Sequence, residues 1–206
     1  METDVLLSLL QRGGWVMYPL LGCSLTVVWV VIDRLLFWRG QAGDTGKDPE
    51  RVLQLLRHDD HEGALKLASA SRSASARVLA AGLEPDHDSI PLDERLTLAA
   101  RGEGRRVMSL LGVLDIIVTA APLLGILGTV LGIIDAFEVM ESRGLADTRA
   151  ITGGVGRALV TTASGLVIAL AALFAHHGLG DRADRAMQEM QRHGTVLEAL
   201  LGRGLP

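Results

Sequence analysis

Apolar positions are unevenly spread along the chain. They gather into three blocks, from about Gly13 to Trp38, Val107 to Val139 and Ile151 to His176, and the charged residues gather between them. Each block holds roughly 20 or more mostly apolar residues, enough for a helix to cross a hydrocarbon layer of about 30 Å. A soluble core able to hide three such helices does not fit a chain of 206 residues, because a domain of that size leaves too much of its surface uncovered. The pattern therefore predicts an all-α integral membrane protein with three transmembrane helices.

Aromatic residues bracket the first helix, with Trp15 and Tyr18 at one end and Phe37 and Trp38 at the other. Trp15 to Trp38 spans roughly 34 Å of helix, the separation of two interfacial belts. This helix is expected to be retained rather than cleaved. Met1 to Gln11 carries Glu2 and Asp4 in place of a basic cluster. Leu20-Leu21-Gly22-Cys23 has the form of a lipoprotein cleavage box, but the apolar run continues through Val27-Val28-Trp29-Val30-Val31-Ile32.

The polar stretch after it opens with Gly40, Gly43, Asp44, Gly46 and Pro49, a linker composition. Helical spacing then predicts short helices over Glu50 to His58, His61 to Ala70 and Ala74 to Leu83, with Leu53, Leu56, Leu65 and Leu67 as an apolar face. Pro91-Leu92-Asp93-Glu94 has the form of a helix start. One continuous helix is expected from about Leu92 into the second membrane helix. Beyond the third, Asp181, Arg182, Asp184, Arg185, Met187 and Met190 predict an amphipathic helix that continues it inward.

Basic residues near the helix ends set the orientation. Arg34 and Arg39, Arg101, Arg105 and Arg106, and Arg182, Arg185 and Arg192 all flank the large loop or the tail. The N-terminus carries only Arg12, and Arg143 and Arg149 are offset by Glu141 and Asp147. The expected organisation is a periplasmic N-terminus (1–12), a first membrane helix (13–38), a cytoplasmic helical domain (39–106), a second membrane helix (107–139), a periplasmic loop (140–150), a third membrane helix (151–177) and a cytoplasmic C-terminal helix (178–206). The second and third helices are long and extend into the cytoplasmic helical region.

The net charge of −4 and the lack of a long basic run speak against nucleic acid as a partner and leave the lipid bilayer as the surroundings. The single cysteine, Cys23, excludes an intrachain disulfide and is expected to be a packing residue. His58, Asp59, Asp60, His61 and Glu62 stand where a helix starts, so acids suit the dipole and a solvated cap is expected rather than a metal site. His176-His177 is expected at an interface. No phosphate-binding glycine loop is present. Neither an enzyme site nor a cofactor is expected.

The membrane helices carry unusual residues. On the second, Asp115, Thr119, Pro122, Ile126, Thr129 and Ile133 share one face, with Gly125, Gly128 and Gly132 beside them. Gly128-x-x-x-Gly132 allows a close helix approach, and Pro122 removes one backbone hydrogen bond and bends the helix. Asp115 and Asp135 are separated by about 30 Å of helix, so both carboxylates fit near opposite interfaces. On the third, Thr162, Gly165, Ala169, Ala172 and His176 form a small-residue face, with Arg157, Thr161 and Ser164 beside it. Two readings of the threonines are open. Their hydroxyls bond back to carbonyls of the preceding turn, or those of Thr129 and Thr162 line a polar path between helices. Arg157 is a charge in the second turn of a membrane helix, where charge is rare. It is either an interfacial anchor or a charge facing a protein-lined cavity.

Two long stretches carry a family resemblance. Ala121-Pro122-Leu123-Leu124-Gly125-Ile126-Leu127-Gly128-Thr129-Val130-Leu131-Gly132-Ile133-Ile134, with Phe137 after it, and Gly153-Gly154-Val155-Gly156-Arg157-Ala158-Leu159-Val160-Thr161-Thr162-Ala163-Ser164-Gly165-Leu166 resemble the signatures of the MotA/TolQ/ExbB proton-channel family. Ala76-Arg77-Val78-Leu79-Ala80-Ala81-Gly82-Leu83 and Ile32-Asp33-Arg34-Leu35 resemble its ExbB branch. The resemblance implies a bacterial inner-membrane stator, a homo-oligomer (a pentamer in this family) around an ExbD/TolR-like single-helix partner that carries the proton on its own aspartate. It implies a proton path or pore at Thr129, Thr162, Thr161 and Arg157, with helix bend and packing at Pro122, Gly125, Gly128, Gly132 and Gly165. It further implies force passed to a TonB/TolA-like coupling protein. The chain departs from the family pattern twice, with Arg157 where glutamate is common and Ala171 where proline is common. A non-conducting membrane scaffold and a flagellar-type stator are the competing readings.

Overall fold

The computed structural model of the protein describes residues 14–41, 47–85, 90–143 and 148–202. Of the expected linker residues, Gly43, Asp44 and Gly46 lie outside them, as does the N-terminal stretch 1–12, whereas Gly40 and Pro49 are helical. Helices run over Met17–Gln41 (α1), Asp48–Arg57 (α2), His61–Ala70 (α3), Ala74–Leu83 (α4), Leu92–Val107 (α5), Leu111–Arg143 (α6) and Thr148–Gly202 (α7). No strand occurs among the described residues. The chain divides into two compact units, one of Met1–Ile32 with Leu110–His177, the other of Asp33–Ser109 with Gly178–Pro206.

The first unit is the membrane part. Three helices are long and apolar enough to span, and only 22–28% of their apolar stretches is buried. Most of that apolar surface therefore faces lipid or protein. Gly14 has φ +68, a left-handed turn that suits glycine, and the turn closes with Met17 N–H donating to the Gly14 carbonyl at 3.2 Å. Pro19 follows in the first turn of α1, where its missing N–H costs nothing. Leu20, Val27 and Val30 are buried on one stripe of α1, whereas Leu21, Leu25, Val28, Trp29 and Leu36 are exposed.

The second unit is a bundle with an aliphatic core. Val52, Leu53 and Leu56 of α2, Val78 and Leu79 of α4, Leu96 of α5 and Met190 and Leu197 of α7 are buried. On α3 the sequence pattern favoured Leu65 and Leu67, but Ala64 and Ala68 are the buried residues, because the alanines allow closer packing. Asp60 caps α3 by accepting from Gly63 N–H at 2.9 Å. At Gly82 an added Cβ would lie 2.7 Å from Leu197 Cδ2 and 2.8 Å from Leu96 Cδ2, so α4 meets α5 and α7 at a glycine. Arg95 closes the end of α4 by donating to the carbonyls of Ala81 (2.7 Å) and Gly82 (3.2 Å).

Glu103 joins Arg77 of α4 and Arg106 of its own helix, the latter at 3.1 Å. Burial raises its pKa, but the hydrogen bonds and charges of Arg77 and Arg106 outweigh burial and hold the carboxyl below its ordinary value. A depressed carboxylate contributes stability above the unfolded value, near 4.5 here, and loses it as pH falls below that. Glu103→Gln is expected to cost about 1–2 kcal/mol at pH 7. The variant should also lose less stability than wild type on acidification, as measured by denaturant titration at both pH values.

One boundary differs from the sequence reading. The helix expected to run unbroken from Leu92 into the second membrane helix is interrupted at Met108–Leu110, and Val107 ends α5 instead of opening the next helix. The break does not fall at Gly102 or Gly104, which stay helical. It falls at Leu110, whose φ is +68, a conformation that costs a non-glycine residue about 1–2 kcal/mol. Arg34 supports the open end of α5: its Nη1 donates to the Arg106 carbonyl at 3.1 Å and to Ser109 Oγ at 2.9 Å. The third membrane helix passes beyond His177, as expected of a tail that continues it. It continues as one helix to Gly202.

Candidate functional site

The chemistry-bearing residues of the first unit lie on the α6–α7 hairpin. Every third or fourth residue of α6 is buried, namely Leu114, Ile117, Ala121, Gly125, Gly128, Gly132 and Ala136. The matching row on α7 is Gly154, Ala158, Thr161, Gly165, Ala169 and Ala172. These rows are almost free of large side chains, so the backbones can approach closely.

Glycine is required at several of these positions. A Cβ on Gly165 would lie 2.5 Å from the Ala121 carbonyl oxygen and 3.1 Å from Gly125 Cα. On Gly125 it would lie 3.0 Å from Thr162 Cα, and on Gly132 it would lie 2.9 Å from the Gly154 carbonyl oxygen. A Cβ on Gly128 would collide with the Thr161 side chain. Pro122 sits within α6, which remains one helix through it.

The three threonines have different surroundings. Thr161 is fully buried (0% exposed), and its hydroxyl donates to the Ala158 carbonyl of its own helix at 2.8 Å. Thr162 is half-buried, and its hydroxyl crosses to the Gly125 carbonyl of α6 at 3.0 Å. Thr129 returns its hydroxyl to Ile126 of its own helix at 2.6 Å. The polar stripe read from the sequence on α6 is therefore not the packed face. Asp115, Thr119, Ile126 and Ile133 of that stripe are exposed, while the glycines beside it are buried.

Arg157 stands at the edge of the packed seam. Its Nη1 lies 3.3 Å from Asp135 Oδ2 on α6, with the arginine side chain 43% and the aspartate 55% exposed. The arginine stem packs against the turn before α1, where a Cβ on Gly14 would lie 3.3 Å from Arg157 Cδ. Sequence reasoning singled out Arg157 and treated Asp135 separately. A signal for the pair was available, since Asp135 lies nine positions before the connection at 144–147 and Arg157 ten after it, and an antiparallel hairpin brings such positions near each other.

This arrangement has a chemical consequence. The buried rows of α6 and α7 offer hydroxyls and carbonyl oxygens, and among the described residues they contain no titratable side chain. Such a seam can orient and accept hydrogen bonds, but these rows hold no side chain that takes up or releases a proton near neutral pH. His176 and His177 lie farther along α7 with ring centroids 5.8 Å apart, edge to face.

The model of the MotA/TolQ/ExbB proton channel family matches residues 70–192. A Synechocystis protein named for its likeness to the biopolymer transport protein ExbB (ExbB-like 3) is 34% identical over 167 residues, 79% of each chain. A second such Synechocystis protein, ExbB-like 1, is 30% identical over 97% of this chain and 80% of its own length. The Vibrio cholerae biopolymer transport protein exbB1 is 28% identical over 91% of this chain and 85% of its own.

Proposed function

The chain belongs to the MotA/TolQ/ExbB proton channel family, and from that premise we propose that it is an ExbB-like stator subunit of a proton-driven motor in the bacterial inner membrane. Several copies, a pentamer in this reading, surround an ExbD/TolR-like single-helix partner. The N-terminus is periplasmic and the polar helical unit cytoplasmic, consistent with the basic residues at the helix ends. Proton flow is coupled to transport or energy transduction at the envelope, through a TonB/TolA-like protein.

The observation that carries this reading is the Thr162 hydroxyl on the Gly125 carbonyl, in a seam whose buried rows contain no acid or base of their own among the described residues. That inventory suits a wall whose hydroxyl and carbonyl oxygens accept a hydrogen bond from a protonated carboxyl on another chain. The exposed apolar side chains of α6 and α7, among them Ile126, Val130, Phe137 and Leu159, supply surface for neighbours to cover. Thr129, Thr161 and Arg157 belong to the same wall. Pro122 and the glycines hold its shape.

Proton flux into liposomes containing this chain and its partner tests the proposal. Thr162→Val, which keeps the shape and removes the hydroxyl, is expected to lower flux about tenfold, the worth of one hydrogen bond. Flux unchanged both by this substitution and by neutralising the partner's membrane carboxylate would overturn it.

The Arg157–Asp135 pair favours a second reading, a non-conducting scaffold of the same architecture, because it places a fixed positive charge where the family pattern has a negative one. A complete absence of flux in wild type, with flux gained on changing the pair, would select that reading.

A further inference from the structure

His193 is the most deeply buried imidazole among the described residues, and the hairpin chemistry does not use it. It lies on the part of α7 that belongs to the second unit and is 6% exposed. Its Nδ1 is shielded from solvent and has no hydrogen-bond partner among the described residues. Its Nε2 lies 3.3 Å from Arg192 Nη2. A guanidinium only donates, so Nε2 is the acceptor and the ring proton belongs on Nδ1, which has nothing to donate to. The neutral ring is thus tolerated with one unmet donor. A second proton would go on Nε2, facing the Arg192 N–H groups.

His193 lines two cavities. One of about 280 Å³ is bordered by Glu50, Leu53, Arg57 and Arg192. The other, about 210 Å³, is bordered by Trp38, Pro49, Ser73, Ser75 and Glu189. His193 therefore touches the space between the end of α1, the start of α2, the segment entering α4, and α7. The charged groups facing it are Arg192 and Glu189 on α7, and Glu50 and Arg57 on α2. The flanking residues from α1 and α4 are uncharged. Glu50 also lies 4.0 Å from Arg192, near the surface.

We propose that His193 is a proton-responsive latch: the neutral ring seals α2 and the start of α4 against α7, and protonation drives the ring out toward Glu50 or Glu189 and loosens that contact. Burial and the Arg192 charge hold the imidazole below its ordinary value, and Glu189 and Glu50 oppose them in part. A depressed histidine contributes stability above the unfolded value, near 6.5, and loses it as pH falls below that. If the unit is cytoplasmic, as proposed above, the latch would sense acid on the side where a proton-driven motor releases protons. The local event does not depend on that assignment.

Hydrogen–deuterium exchange on the full chain in nanodiscs, at pH 7.5 and pH 5.5 and corrected for intrinsic exchange rates, tests the latch without reading proton conduction. Peptides covering 48–57 and 186–197 are expected to lose up to about tenfold in protection at the lower pH, the most that one proton taken up between the ordinary imidazole value of 6.5 and pH 5.5 can produce. His193→Gln, which cannot take up the proton, should show no such loss, whereas the exposed His61→Gln should behave as wild type. An equal loss in His193→Gln, or no loss in wild type, would overturn the proposal. If His193→Gln is already unprotected at pH 7.5, histidine NMR titration of wild type decides: a His193 midpoint below the ordinary imidazole value supports the latch, and one at or above it rejects the latch.

Discussion

Gly165→Val is expected to destabilise the protein by about 3 kcal/mol, while Gly156→Ala nine residues earlier on the same helix leaves stability nearly unchanged. The difference lies in what each new Cβ would meet. At Gly165 it is the carbonyl oxygen of Ala121 at 2.5 Å and Gly125 Cα at 3.1 Å; at Gly156 there is nothing within 4 Å. The atoms opposite Gly165 are backbone, so no rotamer change relieves the clash and α6 and α7 must separate. Separation also strains the Thr162–Gly125 hydrogen bond of 3.0 Å, so under the proposed stator function proton flux should fall with stability. Thermal unfolding followed by the fluorescence of Trp29 and its neighbours reads the first effect, and reconstituted flux the second. Equal melting of the two variants would show that the helices are not packed this closely.

The second large effect concerns Arg157, and its direction opposes simple restoration of the family pattern. Glutamate is common at this position in the family, which suggests that Arg157→Glu would be benign. The structure predicts the reverse, because Asp135 lies 3.3 Å from the arginine and a glutamate would face it as a like charge. Arg157→Leu removes the pair and leaves Asp135 alone beside the exposed Ile134 and Phe137. An unpaired acid at the centre of a membrane helix costs about 2.5–3.5 kcal/mol, and near the end of a helix, half-exposed, the cost should be about 1–2 kcal/mol. Arg157→Glu should be worse than Arg157→Leu, and the exchanged pair Asp135→Arg with Arg157→Asp should recover most of the loss. The cycle is read from unfolding midpoints in nanodiscs. Additive single effects, with no recovery in the exchange, would mean that the two charges do not interact.

Much of the fold could be read from residue order. The three spanning helices follow from apolar length, because a bilayer demands it of each segment separately. The short helices α3 and α4 begin and end where spacing and turn residues place them, with Asp60 as a cap on α3. The break before α6 was not legible. It falls at Met108–Leu110, with no glycine or proline among those three residues, and it is supported by Arg34, more than 70 residues away in sequence. The packed face of α6 was also missed. A helix that is apolar or small on all sides has no periodic contrast to separate its lipid side from its protein side. Adjacent Thr161 and Thr162 could not be told apart for the same reason, although one is fully buried and bonds chiefly within its own helix while the half-buried other makes the shorter bond across to α6.

By itself the sequence determined that this is an all-helical membrane protein with glycine- and threonine-bearing second and third spans, since the transfer of each side chain into lipid is a local property. Only the tertiary structure decided that Asp135 holds Arg157, that Gly165 lies against the Ala121 carbonyl, and that His193 is sealed with an unmet donor. These depend on the register in which helices meet, and register is set by the close fit of whole faces rather than by any one residue.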